Sequence, residues 1–177
     1  MRHFVTLLVV LLFSATAMAQ EKTLTGEFSK TGGYWGPAVK VSSIDGNTVF
    51  HIGGAGGAVF DKKYFVGGGF FAMVSKTDIY GLNYGGLIVD YITNSDNLTH
   101  VSFGTLVGFG EIEYKRQSTG SIKVFVLEPD VKFMVNVNKD LRIGLGVGYR
   151  FITGSKHSDD FRGPSATLTF KFGSFSQ

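Results

Sequence analysis

The sequence predicts an all-β chain: an eight-stranded antiparallel up-and-down transmembrane β-barrel preceded by a cleaved signal peptide. Three observations predict it. Apolar residues alternate with glycine or charged residues at period two in segment after segment. The breaks between these segments carry turn chemistry, and every second break is short and polar. The composition is too apolar for disorder, at 44% hydrophobic residues. It is also poor in charge and rich in glycine for an average soluble domain. Charged residues make up 18% of the chain and glycine 25 of its 177 residues, against roughly 25% and 7% in ordinary soluble proteins. With no Cys, disulfide frameworks, thiolate metal sites and Cys nucleophiles are excluded. A net charge of +3 reflects a few extra Lys and Arg without a basic patch, so nucleic acid is not an expected partner.

The chain opens with Arg2 and His3, an apolar run over residues 4–13, and small residues at Ala17 and Ala19. That pattern is a secretory signal peptide cut after Ala19. The run is too short for a spanning helix, which takes about 20 apolar residues. The expected organisation is a signal peptide over residues 1–19, a periplasmic segment over 20–33, the barrel over 34–173 and a tail over 174–177.

Each strand follows from its alternation. Residues 141–151 are clearest: Leu141, Ile143, Leu145, Val147, Tyr149 and Phe151 share one face, and Arg142, Gly144, Gly146, Gly148 and Arg150 the other. A helix would mix the two sets, so the segment is a strand. Eleven residues at about 3.3 Å each, tilted near 45°, rise roughly 25 Å, the apolar height of an outer-membrane barrel. The pattern recurs over residues 100–110, 125–137 and 165–172. Weaker versions fall at 35–43, 49–60, 64–74 and 80–92, the last with a phase slip near Gly85 and Gly86 that reads as a bulge.

The turns order these strands. The even breaks are all short and polar, at residues 61–63, 94–96 and 138–140, whereas the longest breaks are odd. This is the short-turn, long-loop asymmetry of a barrel with both chain ends in the periplasm. Three-residue hairpin loops would set Phe60 against Tyr64, Thr93 against Asn97 and Val137 against Leu141, with like faces meeting. The same register sets Glu128 opposite Arg150 and Asp90 opposite His100, all facing inward.

A soluble sandwich would leave the glycine face bare to water, where it gives little solubility and weakens the strands. Inside an eight-stranded barrel, by contrast, small residues make room for long ones. Glu128, Asp130, Lys132, Arg142, Arg150, Asp90 and His100 are therefore expected to form an interior charge network, chiefly structural because unpaired buried ions are costly. Phe65, Phe71, Met73, Ile88 and Leu106 also point inward, either filling the barrel or lining a pocket for a hydrophobic ligand. Trp35, Phe60, Tyr64, Tyr91 and Phe172 at one end, and Phe50, Tyr80, Tyr149 and Phe151 at the other, would form interfacial girdles.

On the signal peptide, the strand count and the final strand over residues 165–172, the chain resembles the small eight-stranded outer-membrane barrels, such as the OmpX-like proteins and the membrane domain of OmpA-like proteins. The resemblance covers nearly all of residues 33–172. The final strand is similar to the C-terminal assembly signal of that class, which ends on an aromatic residue. Here the chain continues through Phe175 to Gln177. The glycine-rich segments 52–59 and 66–71 are similar in style to small barrels of Bacteroidetes-type bacteria. The resemblance implies a monomer in the outer membrane of a Gram-negative bacterium, with lipid, lipopolysaccharide and the outer-membrane assembly machinery as partners. Lys115, Arg116, Lys156 and Arg162 fall at the outer rim, where they are expected to meet lipopolysaccharide phosphates.

No cofactor or metal is expected. His157, Asp159 and Asp160 lie in the longest loop without a ligand spacing. The glycines at positions 53, 54, 56 and 57 are followed by no helix, so they are not a phosphate-binding loop. His100 and Ser102, with Glu111 or Glu113, match the residue types of outer-membrane lipid A deacylases, but Glu111 has the opposite facing and lies at the far rim. The expected role is non-enzymatic: a filled barrel serving envelope structure or surface interaction. The alternatives are a narrow channel or binding barrel for a small hydrophobic or ionic solute, and a lipid A-modifying enzyme.

Overall fold

The alternating segments form eight strands: β1 (Lys30–Ile44), β2 (Asn47–Phe60), β3 (Tyr64–Met73), β4 (Tyr80–Ile92), β5 (Thr99–Tyr114), β6 (Ser121–Asn136), β7 (Leu141–Thr153) and β8 (Gly163–Ser174). The computed structural model describes residues 30–75, 80–114, 121–154 and 158–175. The expected signal peptide, its expected cleavage site after Ala19 and most of the expected periplasmic segment lie outside them. Each strand pairs antiparallel with its chain neighbours, and β8 closes the barrel on β1 through pairs such as Val39 with Leu168. β1 begins at Lys30, ahead of the expected barrel boundary at residue 34, and β8 runs on to Ser174.

Facing follows the period-two pattern. Leu145 and Val147 are 62% and 64% exposed on the outside, while Arg150 on the opposite face of β7 is fully buried. Exposed Phe50, Phe70, Leu87, Phe103, Phe109 and Phe133 continue the outer apolar belt around the barrel. So large an apolar surface is the face of a membrane-spanning barrel. Trp35, Tyr64, Tyr91 and Phe172 gird the end that carries the chain termini, and Phe50, Tyr149 and Phe151 the far end. Expected girdle residue Phe60 is half-buried, and the side chain of Tyr80 is outside the described set.

Turn chemistry sets two hairpins as expected. Asp61 and Lys62 take positive φ (50° and 56°) in a three-residue loop that sets Phe60 against Tyr64. Val137 N donates to Leu141 O at 3.0 Å. At the far end Asp45 and Gly46, with φ of 49° and 71°, make the two-residue β1–β2 turn, the conformation that Asp-Gly favours because both residues need positive φ.

Two expectations are corrected. Ile92 faces Ser102 and Asp90 faces Gly104, so the β4–β5 turn spans residues 93–98 and His100 does not oppose Asp90. The even shift preserves the faces. Its cause is long-range: the Asn136 amide donates to the carbonyls of Ser95 (2.9 Å) and Asn97 (2.7 Å), folding the turn under the barrel. The bulge at Gly85 and Gly86 is also absent, since β4 keeps one register with β3 and β5 throughout. Leu82, Tyr84 and Ile88 point inward and Leu87 and Val89 outward. Both faces of this strand are apolar, which mimics a slip in the sequence.

Candidate functional site

Inward side chains from four strands, β1, β4, β6 and β8, gather in two polar clusters. The first joins Lys40 of β1, Tyr84 of β4, Glu128 of β6 and Ser165 of β8. Lys40 Nζ pairs with Glu128 Oε2 at 2.7 Å. Tyr84 OH donates to the same oxygen at 2.8 Å, and Ser165 Oγ donates to Oε1 at 2.7 Å. Lys40 Nζ also donates to Tyr84 OH at 3.0 Å and lies 3.6 Å from the Phe71 ring centroid. Lys40 and Glu128 are both buried. A buried pair of this kind persists because hydrogen bonds satisfy the remaining acceptor sites.

The second cluster lies nearer the termini. Lys132 Nζ pairs with Asp130 Oδ1 at 2.6 Å and Asp90 Oδ1 at 3.0 Å. Lys171 Nζ lies 3.7 Å from Asp90 Oδ2 and donates to Tyr34 OH at 2.9 Å. Gly104 leaves the space in which these charges meet: a Cβ there would come within 2.8 Å of both Asp130 Oδ1 and Lys132 Nζ and closer still to Asp90 Oδ1. A cavity of about 40 Å³ separates the clusters, bordered by Tyr34, Lys40, Asp90, Glu128, Lys132 and Lys171. That is room for a water or two.

The two inward arginines stand at opposite ends. Fully buried Arg150 donates from Nε to Phe161 O (3.0 Å), from Nη1 to Ser42 Oγ (3.2 Å) and from Nη2 to Ser43 O (3.4 Å). The register does bring β7 opposite Glu128, yet Glu128 takes Lys40, and among the described residues Arg150 has no carboxylate partner. Phe161 belongs to a short 3-10 turn, Ser158–Phe161, and its buried ring caps the far end. Asp45 N ties that turn down by donating to Asp160 O at 2.7 Å. At the terminal end Arg142 donates to Ser95 O (3.2 Å) and sits 4.0 Å over the ring of Phe175. Phe175 is buried beside Tyr34, with ring centroids 5.8 Å apart.

Of the seven interior residues expected from sequence, all lie on the inner face, but among the described residues only Glu128, Asp130, Lys132 and Asp90 form ion pairs. His100 is buried opposite Met134, and neither its Nδ1 nor the Ser102 hydroxyl has a hydrogen-bond partner among the described residues. Glu111 is exposed near the far rim, so the His, Ser and Glu set does not assemble. The inward apolar residues Phe65, Phe71, Ile88 and Leu106 belong to the packed core, with Met73 against it. Sequence reading missed Lys40, Tyr34, Tyr84, Ser165 and buried His51 as site residues. Lys40 had a readable signal, because it alternates with Val39 and Val41 in β1.

Arg162 at the far rim pairs with Asp159 at 2.7 Å and donates from Nε to Ile152 O at 2.9 Å. Lys115, Arg116, Lys156 and His157 lie outside the described residues. Among the described residues no three metal-ligating side chains converge.

No protein-family model matches the chain, and no curated protein matches it. Solved structures do. The N-terminal β-barrel domain of OprF from Pseudomonas aeruginosa aligns over 81% of this chain and 98% of that one, with TM-score 0.63 and 8% identity. Neisserial surface protein A aligns over 81% and 95%, with TM-score 0.57 and 9% identity. The outer membrane protein OprG from Pseudomonas aeruginosa aligns over 85% and 97%, with TM-score 0.50 and 12% identity. At such identities the likeness is one of fold: the small eight-stranded barrel of outer-membrane proteins.

Proposed function

We propose that this protein is a non-enzymatic outer-membrane barrel of a Gram-negative bacterium, closed to solutes, that serves envelope structure or surface interaction. The observation that carries the reading is the interior. Phe161 and Phe175 cap the two ends, and two ion-paired clusters with a packed aromatic core fill the space between them. Eight strands enclose little more than their own side chains. The inner cavity of about 40 Å³ between the clusters is too small for an organic solute, which disfavours the transporter reading.

Outer-membrane location is supported by the apolar belt, the aromatic girdles and the fold shared with outer-membrane proteins. The separation of His100 and Ser102 from Glu111 favours a role without catalysis. Lipid and lipopolysaccharide as partners, insertion by the assembly machinery and a monomeric state complete the proposal. Planar-bilayer recording tests it. The purified barrel is expected to give no reproducible single-channel events; steady conductance would overturn the closed interior.

A further inference from the structure

Fully buried His51, on the inner face of β2, has no hydrogen-bond partner among the described residues at either ring nitrogen. An orphaned imidazole in an interior is costly, and its surroundings give the reason for it. Lys40 stands opposite it on β1, and uncharged Met73 opposite it on β3. From β4 the Tyr84 ring meets the imidazole edge-on, with ring centroids 6.0 Å apart. The Lys40 ammonium lies 5.3 Å from the centre of that same Tyr84 ring, and the Arg150 guanidinium of β7 lies 5.7 Å from it. Glu128 of β6 is the carboxylate that acts on the imidazole, and it already pairs with Lys40. Arg150 in turn holds the far cap, since its Nε donates to Phe161 O, and the buried Phe161 ring closes that end.

We infer that His51 is an acid switch for this cap: on taking up a proton it repels Arg150, frees the Phe161 turn and opens the outward end of the barrel. A proton on His51 adds a third cation to Lys40 and Arg150 around one carboxylate. Like charges so close in a poorly polarisable interior repel strongly. Lys40 is anchored by Glu128. Arg150 is held by neutral oxygens of Phe161, Ser42 and Ser43, so it is the group that gives way. In the open form His51 meets water, where an imidazole takes up a proton near pH 6.5. Acid therefore favours the open form. The cap's hold is complete above about pH 6.5 and weakens by up to about ten-fold for each unit below it.

The inference rests on the closed interior proposed above, and the two fail differently. The chain has no Cys, so a spin label on Asp160→Cys reports the motion of the turn in lipid vesicles. Spectra are taken from about pH 7.5 to about pH 5, a range that spans imidazole titration. A label already mobile at the upper end contradicts the closed interior itself. A label immobile there is expected to turn mobile in acid, its mobile fraction rising by up to about ten-fold per unit until it saturates. His51→Gln and His51→Met, each first shown to fold by heat-dependent mobility on SDS gels, are expected to keep the turn immobile throughout. Arg150→Gln is expected to leave it mobile at both ends of the range. A parent turn that stays immobile in acid, acid mobilisation that persists in the His51 variants, or an immobile turn in Arg150→Gln would overturn the switch.

Discussion

Glu128 joins four strands through one carboxylate, since Lys40, Tyr84 and Ser165 reach it from β1, β4 and β8. Replacing it with Gln leaves the Lys40 ammonium buried without a counter-charge, a change that costs about 3–5 kcal/mol. Urea unfolding in lipid vesicles is expected to show that loss. The double variant Lys40→Met with Glu128→Leu is expected to recover most of it, because a buried pair replaced whole by apolar groups of similar size is often neutral. Equal stability of Glu128→Gln and the parent would contradict a structural role for the pair. Gly104 makes a complementary point. Its Cβ has nowhere to go among Asp90, Asp130 and Lys132, so Gly104→Ala is expected to cost about 1–3 kcal/mol by displacing a packed ion cluster. Parent-like unfolding would show that the three charges do not need that space.

Among the elements, β8 and the residue that follows it do two different jobs. Phe172 faces out and packs on Trp35 with ring centroids 5.7 Å apart. Phe175 turns in beneath Arg142 and Tyr34. The residues beyond the final aromatic position of the family pattern therefore include a plug for the terminal end. Phe175→Ala is expected to destabilise the barrel by as much as about 3 kcal/mol, while Phe172→Ala leaves the interior packed. Reversal of that order in denaturant midpoints would contradict the plug. The hairpins show how far sequence reaches. Asp61 and Lys62 carry their turn in local chemistry, and the three-residue loop was readable. The β4–β5 turn was not, because Asn136 and Arg142, some forty residues away, hold its carbonyls. Local pattern specifies a strand's faces; its register can be set by side chains from elsewhere in the chain.

For the whole molecule, facing was legible wherever the inner face is polar or bare. Alternation of Leu145 and Val147 with Gly146 and Gly148 told inside from outside at once. Where the interior turns aromatic, around Phe71 and Tyr84, both faces of the strand are apolar and the pattern blurs. The charge network was legible as a set of residues but not as a set of partners. Closing the barrel brings β1 and β8 together, which puts Lys40 and Lys171 within reach of carboxylates on β4 and β6. In this barrel the oily face meets lipid and the glycine and ionic face lies within. The chain has no Cys, so single cysteines can be placed along β7 at residues 143–148 and spin-labelled in lipid vesicles. Collision with oxygen, which concentrates in the bilayer, is expected to be high at positions 143, 145 and 147 and low at 144, 146 and 148. Access of a water-soluble nickel reagent to labels at 145 and 147, with no period-two alternation, would contradict it.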